Sequence, residues 1–412
     1  MTGTPEASSA TGYLPGTTEY RRVLVALFVA GLATFAVLYS PQGLLPELSN
    51  QFDVSATSAT LSLSLTTLGL GVALLIAGPL SDVAGRTRLI YVSLWASAVV
   101  AAACAMAPGW TALLALRLLQ GIVLAGLPAV ATAYLREELH PSTHARAAGL
   151  YIGGTALGGM AGRLVAGFGA DLGGWRWGMA AVAALALASA VVVQVLLPSS
   201  KGFVPAPSDV RQLLHMAHEA LSDRALVLLY VIGGCAMGGF VAVFNIVGYR
   251  LTGEPFDLRL AAASLVYLVY PIGTVSSILF GRLADRFGRR AVTPFACLIA
   301  IAGVLLTLVP DLAVLIVGMA LLTAGFFAVH GVASGWVPVR AHAEGVSSGQ
   351  AASLYLFTFY LGSSVFGSVA GWAWHAAAWS GVVALSVLLF AVAAALTLWL
   401  RGIPKLVTTT KH

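Results

Sequence analysis

Hydrophobic residues along the chain form long runs with few polar positions, separated by short polar connections. A helix needs about 20 consecutive apolar residues to cross the hydrocarbon core of a bilayer. Barrel strands would alternate polar and apolar residues instead, which these runs do not do. The pattern therefore predicts twelve membrane-spanning α-helices, over residues 22–41, 58–80, 89–107, 111–134, 146–169, 177–197, 225–247, 259–281, 291–309, 311–335, 347–370 and 380–400.

Composition strengthens this picture. The chain is 59% hydrophobic and 9% charged, whereas about 25% of the residues of a soluble domain are charged because its surface faces water. The predicted fold class is an all-α integral membrane protein whose partner is the lipid bilayer. The cysteines Cys104, Cys235 and Cys297 lie inside apolar runs, without the spacing of a disulfide framework or a zinc site. No metal site and no cofactor are predicted.

The Lys and Arg residues predict the orientation of the helices. Most of these 22 residues fall in segments on the same side as the N-terminus, while the loops of the other side hold only Arg176, Arg250 and Arg259. Cytoplasmic loops carry the excess of positive charge. Both termini are therefore predicted to be cytoplasmic, in a bacterial inner membrane. The net charge of +6 is a topology signal, and no nucleic-acid partner is predicted.

Polar segments divide the chain into parts. The middle segment contains "DVRQLLHMAHEAL", whose apolar residues share one helical face, as in a helix that lies on a membrane surface. The predicted parts are a disordered tail (1–19), a six-helix bundle (20–197), a cytoplasmic linker with an amphipathic helix (198–224), a second six-helix bundle (225–400) and a cytoplasmic tail (401–412).

One polar phrase occurs twice, as "GPLSDVAGRTR" from residue 78 and "GRLADRFGRRA" from residue 281. Asp82 and Asp285 are 203 residues apart, and Gly85 and Gly288 keep the same separation. A fixed offset of half the chain indicates a duplicated unit. Each phrase falls in the inner loop between the second and third helix of its half, where a glycine allows a sharp turn.

At these residues the chain resembles the major facilitator superfamily over nearly its whole length. The motif G-x-L-x-D-x-x-G-R-[KR] of that family is matched twice, by Gly78, Asp82, Gly85 and Arg86, with Arg88 beside them, and by Gly281, Asp285, Gly288 and Arg289. The resemblance implies two pseudo-symmetric six-helix bundles around a cavity that opens alternately to either side. It also implies that the Asp82 loop latches the inner side when the cavity faces outward.

Two other stretches resemble motifs of the same family. "LLALRLLQG" is similar to the fourth-helix motif L-x-x-x-R-x-x-Q-G through Arg117 and Gln120. An arginine inside a membrane helix faces a cavity or a partner, so Arg117 is either a cavity residue or an interhelical strut. The fifth helix resembles the antiporter motif G-x-x-x-G-P-x-x-G-G, but it has Gly159 in place of Pro and Arg163 in place of the last Gly. Its glycines at Gly154, Gly158 and Gly162 are four residues apart and so share one face of the helix, which allows close packing against a neighbouring helix. The departures from the motif weaken the inference of antiport, and the chain resembles instead a branch of efflux permeases that shares its first-helix ending "YSPQGLLPEL".

Acidic residues are absent from the middle thirds of the predicted helices. His330 titrates near neutral pH in water and is either a proton carrier or a packing residue. Glu47 is the acidic candidate that could attract Arg117 or Arg163. The remaining polar residues with a possible place on the cavity, or in ordinary interhelical bonding, are Tyr39, Gln42, Asn245, Tyr267, Tyr270, Tyr355 and Tyr360.

The predicted function is secondary active transport rather than catalysis. The sequence contains neither a G-x-x-x-x-G-K-[ST] phosphate loop nor a G-x-S-x-G nucleophile motif. The leading hypothesis is a monomeric, proton-coupled exporter of small amphiphilic organic solutes. An organic-anion carrier that uses Arg117 and Arg163 is the second hypothesis, and a membrane receptor without transport is the third.

Overall fold

The computed structural model describes residues 12–203 and 210–402, which are almost entirely helical. The α-helices are α1 (Thr18–Tyr39), α2 (Leu45–Phe52), α3 (Ala56–Ala84), α4 (Arg86–Ala105), α5 (Trp110–Leu124), α6 (Gly126–Glu138), α7 (His144–Gly173), α8 (Trp175–Leu196), α9 (Val210–Ser222), α10 (Arg224–Thr252), α11 (Leu260–Ser264), α12 (Tyr270–Phe287), α13 (Arg289–Leu306), α14 (Leu312–Ala343) and α15 (Ser348–Trp399).

Ten stretches of the described residues are long and apolar enough to cross a membrane. Two of these, Trp110–Glu138 and Leu260–Phe287, each combine consecutive helices. The helix α7 is 30 residues long and packs against α1 and α8, although its charged and small residues keep it outside that set. The 52 residues of α15 leave helical geometry at Ala377 and Ala378 and so supply two crossings. This arrangement is consistent with the predicted twelve-helix, all-α membrane fold.

The duplicated phrase folds in the same way in both halves. Gly85 ends α3 with φ 93° and ψ 141°, and Gly288 ends α12 with φ 88° and ψ 140°. Residues with a side chain rarely adopt such positive φ values, whereas glycine does so readily. The same backbone turn therefore joins the second and third crossing of each bundle.

Small residues allow the helices of each bundle to approach closely. On α7, a Cβ atom added at Gly154, Gly158 or Gly162 would collide with the backbone of α1. In the second half, Gly362 of α15 lies equally close to Gly234 of α10. Without a hydrophobic driving force in lipid, such backbone approach provides the van der Waals contact that holds membrane helices together.

We call the end of the molecule with the two repeated loops and α9 the inner side, and the opposite end the outer side. The helices α3 and α15 run along the boundary between the bundles, and their contacts change along its length. Thr57 lies against Gly371 at the outer end, Gly71 lies against Tyr360 near the middle, and Gly78 has open space around it at the inner end. The bundles therefore meet on the outer side and separate on the inner side.

Polar contacts follow the same division. On the outer side, the hydroxyls of Ser49 and Tyr249 lie 2.6 Å apart and join the two bundles. On the inner side, the ion pair between Arg86 and Glu137 lies within the first bundle, and Arg340 pairs with Asp223 within the second. The described structure is thus closed on the outer side and open on the inner side.

One expectation about the polar segments needs correction. Tyr13 exchanges backbone hydrogen bonds with Glu138 and His140, and α1 begins at Thr18. The tail predicted to be disordered over 1–19 is therefore ordered from residue 12, because backbone bonds tie it to the first bundle; residues 1–11 lie outside the described part. The linker contains the helix α9, in which Ala220 is buried while Leu214 and Leu221 are exposed; its place on the membrane surface stays a prediction.

Candidate functional site at the bundle interface

Arg163 lies fully buried, with 0% of its surface exposed, between the two bundles. Its guanidinium carbon is 4.4 Å from the ring centre of Tyr39, 4.6 Å from that of Tyr270 and 5.1 Å from that of Tyr267. Tyr39 belongs to the first bundle and the other two tyrosines to the second. A cation carried by one bundle is thus enclosed by aromatic rings of both, in the arrangement that favours cation–π attraction.

The hydrogen bonds of this guanidinium are incomplete. Nε donates to Oε1 of Gln42 at 2.6 Å, and Nη1 donates to the carbonyl of Gly159 at 2.5 Å. Nη2 has no partner in good hydrogen-bond geometry among the described residues, and the hydroxyl of Tyr270 is the polar side-chain group that lies near the guanidinium without completing its set. A buried cation with neither a complete set of acceptors nor a carboxylate is costly, so an anion would be favoured at this position.

A polar relay continues from Gln42 into the second bundle. Nε2 of Gln42 donates to Oδ1 of Asn245 at 2.5 Å, and Nδ2 of Asn245 donates to the carbonyl of Gly367 at 3.2 Å. Gln42 and Asn245 are 203 residues apart, the same offset as between Asp82 and Asp285. Equivalent positions of the two halves therefore meet here, on the pseudo-symmetry axis.

Tyrosine side chains surround the same region. The phenol of Tyr39 lies near Tyr270, Tyr360 and Arg163, and the phenol of Tyr151 lies near Tyr360. These residues come from α1, α7, α12 and α15, on both sides of the bundle boundary. The structure thus brings Tyr39, Tyr270 and Tyr360, which the sequence suggested for a cavity, together with Arg163, Gln42, Asn245 and Tyr267.

Arg117 occupies a different environment. It is 2% exposed, and its three nitrogens donate to the carbonyls of Ser62, Val37 and Leu38 at 3.0, 3.2 and 2.9 Å. Val37 and Leu38 end α1, where a positive charge favourably meets unpaired carbonyls. The neighbouring Gln120 donates to the carbonyl of Ser97. These contacts stay inside the first bundle and favour the strut over the cavity residue for Arg117.

The expectation that Glu47 neutralises Arg117 or Arg163 is wrong. Glu47 lies in the first turn of α2, and its Oε1 atom is the near neighbour of Gly174 at the turn between α7 and α8. It forms no ion pair with either arginine among the described residues. The outer turn keeps this carboxylate partly solvated, whereas both arginines lie deeper in the first bundle.

His330 lies in an aromatic run inside the second bundle. Its Nδ1 atom is 3.0 Å from the hydroxyl of Tyr355, and its ring stacks on Phe326 at 6.0 Å. Phe326 stacks on Phe240 at 4.0 Å, and Phe240 lies 5.8 Å from Tyr270 beside Arg163. The sequence suggested His330 and Tyr355 but missed Phe240 and Phe326, because single phenylalanines in an apolar helix carry no signal of their own.

The loop residues lie on the inner side. Asp82 pairs with Arg86 at 2.6 Å, and Arg86 also pairs with Glu137 at 3.1 Å.

Arg88 and Asp285 are exposed, and added Cβ atoms at Gly281 and Gly288 would meet open space. Asp285 and Arg289 line a surface cavity of about 610 Å³ together with Trp336 and Arg340.

Glu138 is an inner-side residue that sequence reasoning missed. It is 3% exposed, and its carboxylate accepts hydrogen bonds from the backbone amides of Lys201 and Gly202 at 2.8 and 2.9 Å, as well as from the hydroxyl of Ser200. The start of the linker is thereby fastened to the first bundle, beside the Asp82 loop. No sequence pattern predicted this contact, because its partners are more than 60 residues away.

Comparison of the sequence with known proteins shows the family of the chain. The model of the Major Facilitator Superfamily matches residues 23–349. The chain is 41% identical to the uncharacterized MFS-type transporter YybF of Bacillus subtilis (strain 168), over 94% of each chain. It is 42% identical to the inner membrane transport protein YnfM of Escherichia coli (strain K12), over 92% of this chain and 90% of that one.

Solved structures share the fold at low sequence identity. A bacterial homologue of the human lysosomal transporter Spinster, in an inward-facing and unoccupied conformation, matches with a TM-score of 0.74 and 17% identity, over 94% of this chain and 97% of that one. The human organic anion transporter MFSD10 matches with a TM-score of 0.67 and 18% identity, over 92% and 99% of the two chains.

Proposed function

We propose that this chain, which belongs to the Major Facilitator Superfamily and is a membrane transporter, exports small amphiphilic organic anions by alternating access, with proton entry as a driving force. The observation that carries the proposal is Arg163, a fully buried cation at the bundle interface whose Nη2 atom has no partner in good hydrogen-bond geometry among the described residues. A site built for cationic drugs would need a carboxylate in that place.

Alternating access is supported by where the bundles touch. Their contacts at Thr57 and Gly371, and at Gly167 and Ser264, lie on the outer side. A Cβ atom added at Gly78, at the inner end of the same boundary, would meet no atom of another helix within 4 Å. Rocking the two bundles against each other around the Arg163 site would open the outer side and close the inner one, as symmetry-related repeats do around a fixed site.

The membrane potential favours export of an anion. A negative cell interior drives each negative charge outward with about 2.3 kcal/mol per 100 mV, so this potential can drive anion export against a concentration gradient. For the coupling proton we assign His330, a titratable side chain in the bundle core that contacts Tyr355. Protonation of His330 would break or reverse this hydrogen bond and so alter packing within the second bundle.

Flux in proteoliposomes tests this function. Vesicles holding the purified chain would be loaded with size-matched amphiphilic anions, cations or neutral solutes, with an imposed potential, a pH gradient, both or neither. We expect efflux of anions that is faster with either gradient, and loss of the pH effect alone in His330→Gln. Efflux restricted to cations would refute the anion assignment, and absence of any flux would support the receptor hypothesis.

A further inference from the structure

The unpaired edge of Arg163 has the geometry of a carboxylate site. The Nε and Nη2 atoms of an arginine point the same way and together bind both oxygens of one carboxylate. In this structure the amide oxygen of Gln42 occupies Nε, while Nη2 remains without a partner in good hydrogen-bond geometry among the described residues. We call the Nε and Nη2 donors of Arg163 the Arg163 fork. Gln42 occupies one of these two donors, whereas a carboxylate would occupy both.

The surroundings of this fork are flat and aromatic. Tyr39 and Tyr270 lie on the guanidinium, and Phe244 has its ring centre 6.0 Å away. Beyond Tyr270 the rings of Phe240 and Phe327 continue the wall. Such rings give an aromatic guest offset-stacked and edge-to-face contacts that an aliphatic chain of the same size cannot make.

The rings are slightly less buried than the cation they surround. Tyr39 is 7% exposed and Tyr270 is 5% exposed, whereas Arg163 is 0% exposed. Burial therefore increases from the tyrosines to the guanidinium. A molecule with an apolar ring at one end and a carboxylate at the other matches this order.

We propose that the Arg163 fork and the rings around it bind an aromatic monocarboxylate, whose carboxylate displaces Gln42 from Arg163. The inference rests on the proposed anion transport and narrows its substrate class. Displacement of Gln42 also strains or breaks its hydrogen bond to Asn245, which joins the two bundles on the outer side. Substrate binding therefore loosens the outer closure, which couples occupancy of the site to its opening.

Substitutions at Gln42 test the displacement directly. In Gln42→Glu, the introduced carboxylate would occupy the fork permanently, and we expect binding of benzoate to be lost although the protein remains folded. In Gln42→Ala, the competitor is removed, and benzoate should bind about fivefold more tightly, as expected for one hydrogen bond no longer displaced. A merely structural Gln42 would weaken binding in both variants, and that result would overturn the proposal.

Ligand pairs test the substrate class on the full chain in nanodiscs, by calorimetry. Benzoate should bind at least about tenfold more tightly than cyclohexanecarboxylate or hexanoate, and benzamide, which lacks the charge, should not bind. Equal affinity for aliphatic and aromatic carboxylates would refute the aromatic class while leaving anion transport intact. Failure of every carboxylate to bind or to be transported would refute the proposed function itself.

Discussion

Arg117 and Arg163 are two buried arginines of the same bundle with different surroundings. Arg117 donates to three backbone carbonyls, of Ser62, Val37 and Leu38, and all of these belong to its own bundle. Arg163 has a side-chain acceptor, one carbonyl and an unpaired nitrogen, and the rings of Tyr267 and Tyr270 that enclose it belong to the other bundle.

This difference gives the two arginines different expected roles, Arg117 in the stability of its bundle and Arg163 in transport. If the bundles rock as proposed, the partners of Arg117 would stay in place, because all of them belong to one bundle. The partners of Arg163 lie on both sides of the bundle boundary, so the same movement would change its environment. Burial of a charged residue is therefore a poor guide to its role until the partners are known.

The largest effect is expected for transport by Arg163→Ala. Removing the cation should lower anion efflux by at least about 100-fold, which corresponds to the loss of a buried charged contact, while Arg117→Ala should retain flux within about tenfold per folded molecule. Both variants would be compared in proteoliposomes at equal amounts of inserted protein. Near-normal efflux by Arg163→Ala would remove the functional distinction between the two arginines.

The opposite order is expected for stability. Arg117→Ala leaves three carbonyls without their charged donor and should lower the free energy of unfolding by about 2–4 kcal/mol. Arg163→Ala removes an incompletely paired cation and should cost less. Denaturant titrations in detergent would measure both, with Arg117→Lys as a partial rescue. A larger loss for Arg163→Ala than for Arg117→Ala would contradict this comparison.

A third arginine, Arg86, pairs with Asp82, and this pair is expected to change the populations of the inward-facing and outward-facing states. If Asp82 latches the inner side in the outward-facing state, Asp82→Asn should favour the inward-facing state by about 1–3 kcal/mol, or roughly 5- to 150-fold. Ser264→Cys is a suitable reporter, because Ser264 is 2% exposed and lies against Gly167 of the other bundle.

The three native cysteines are buried, so they add little background to such labelling. Modification of Ser264→Cys should slow in the Asp82→Asn background, since the outer side opens less often. Asp285→Asn is the matched control and should have a smaller effect, because the helix faces that the two loops would meet are not copies of each other. Unchanged labelling and unchanged flux in Asp82→Asn would mean that the loop is only a turn.

The smallest effect is expected for Arg340, whose partners are carboxylates. Partial burial opposes ionisation of Asp223, but hydrogen bonds and the charge of Arg340 outweigh it and hold the pKa of Asp223 below its usual value. The pair therefore stabilises the fold above the pKa of Asp223 in the unfolded chain, and this stabilisation is lost as the pH falls through the lower, folded pKa.

Thermal unfolding from pH 7 to pH 3 would measure this loss. The difference in unfolding free energy between wild type and Asp223→Asn should decrease as the pH falls, by less than about 1 kcal/mol for a partly exposed pair. The Arg163 site contains no carboxylate among the described residues, so its contacts should be insensitive to the same change. A difference between wild type and Asp223→Asn that does not decrease between pH 7 and pH 3 would contradict the assignment.

Several features of the candidate site were predictable and others were not. Arg163 drew attention because it stands where the resembled motif has glycine, and the tyrosines because they interrupt apolar helices. The pairing of Gln42 with Asn245 follows the repeat offset of 203 residues, yet the offset alone does not say that equivalent residues touch. The rings of Phe240 and Phe244 became visible as parts of the site only through their neighbours.

The sequence alone determined the membrane class, the helices, the duplication and the turn at Gly85 and Gly288, because these depend on local hydropathy, spacing and backbone freedom. Tertiary structure decided which buried arginine has a complete set of hydrogen-bond acceptors and which does not, and it placed Glu47 away from both. The physical reason is that a membrane helix fixes which residues are buried but not what they meet. Apart from Gly159 on the same helix as Arg163, the hydrogen-bond partners of Arg117 and Arg163 lie 55 to 121 residues away, and only the packing of the helices selects them.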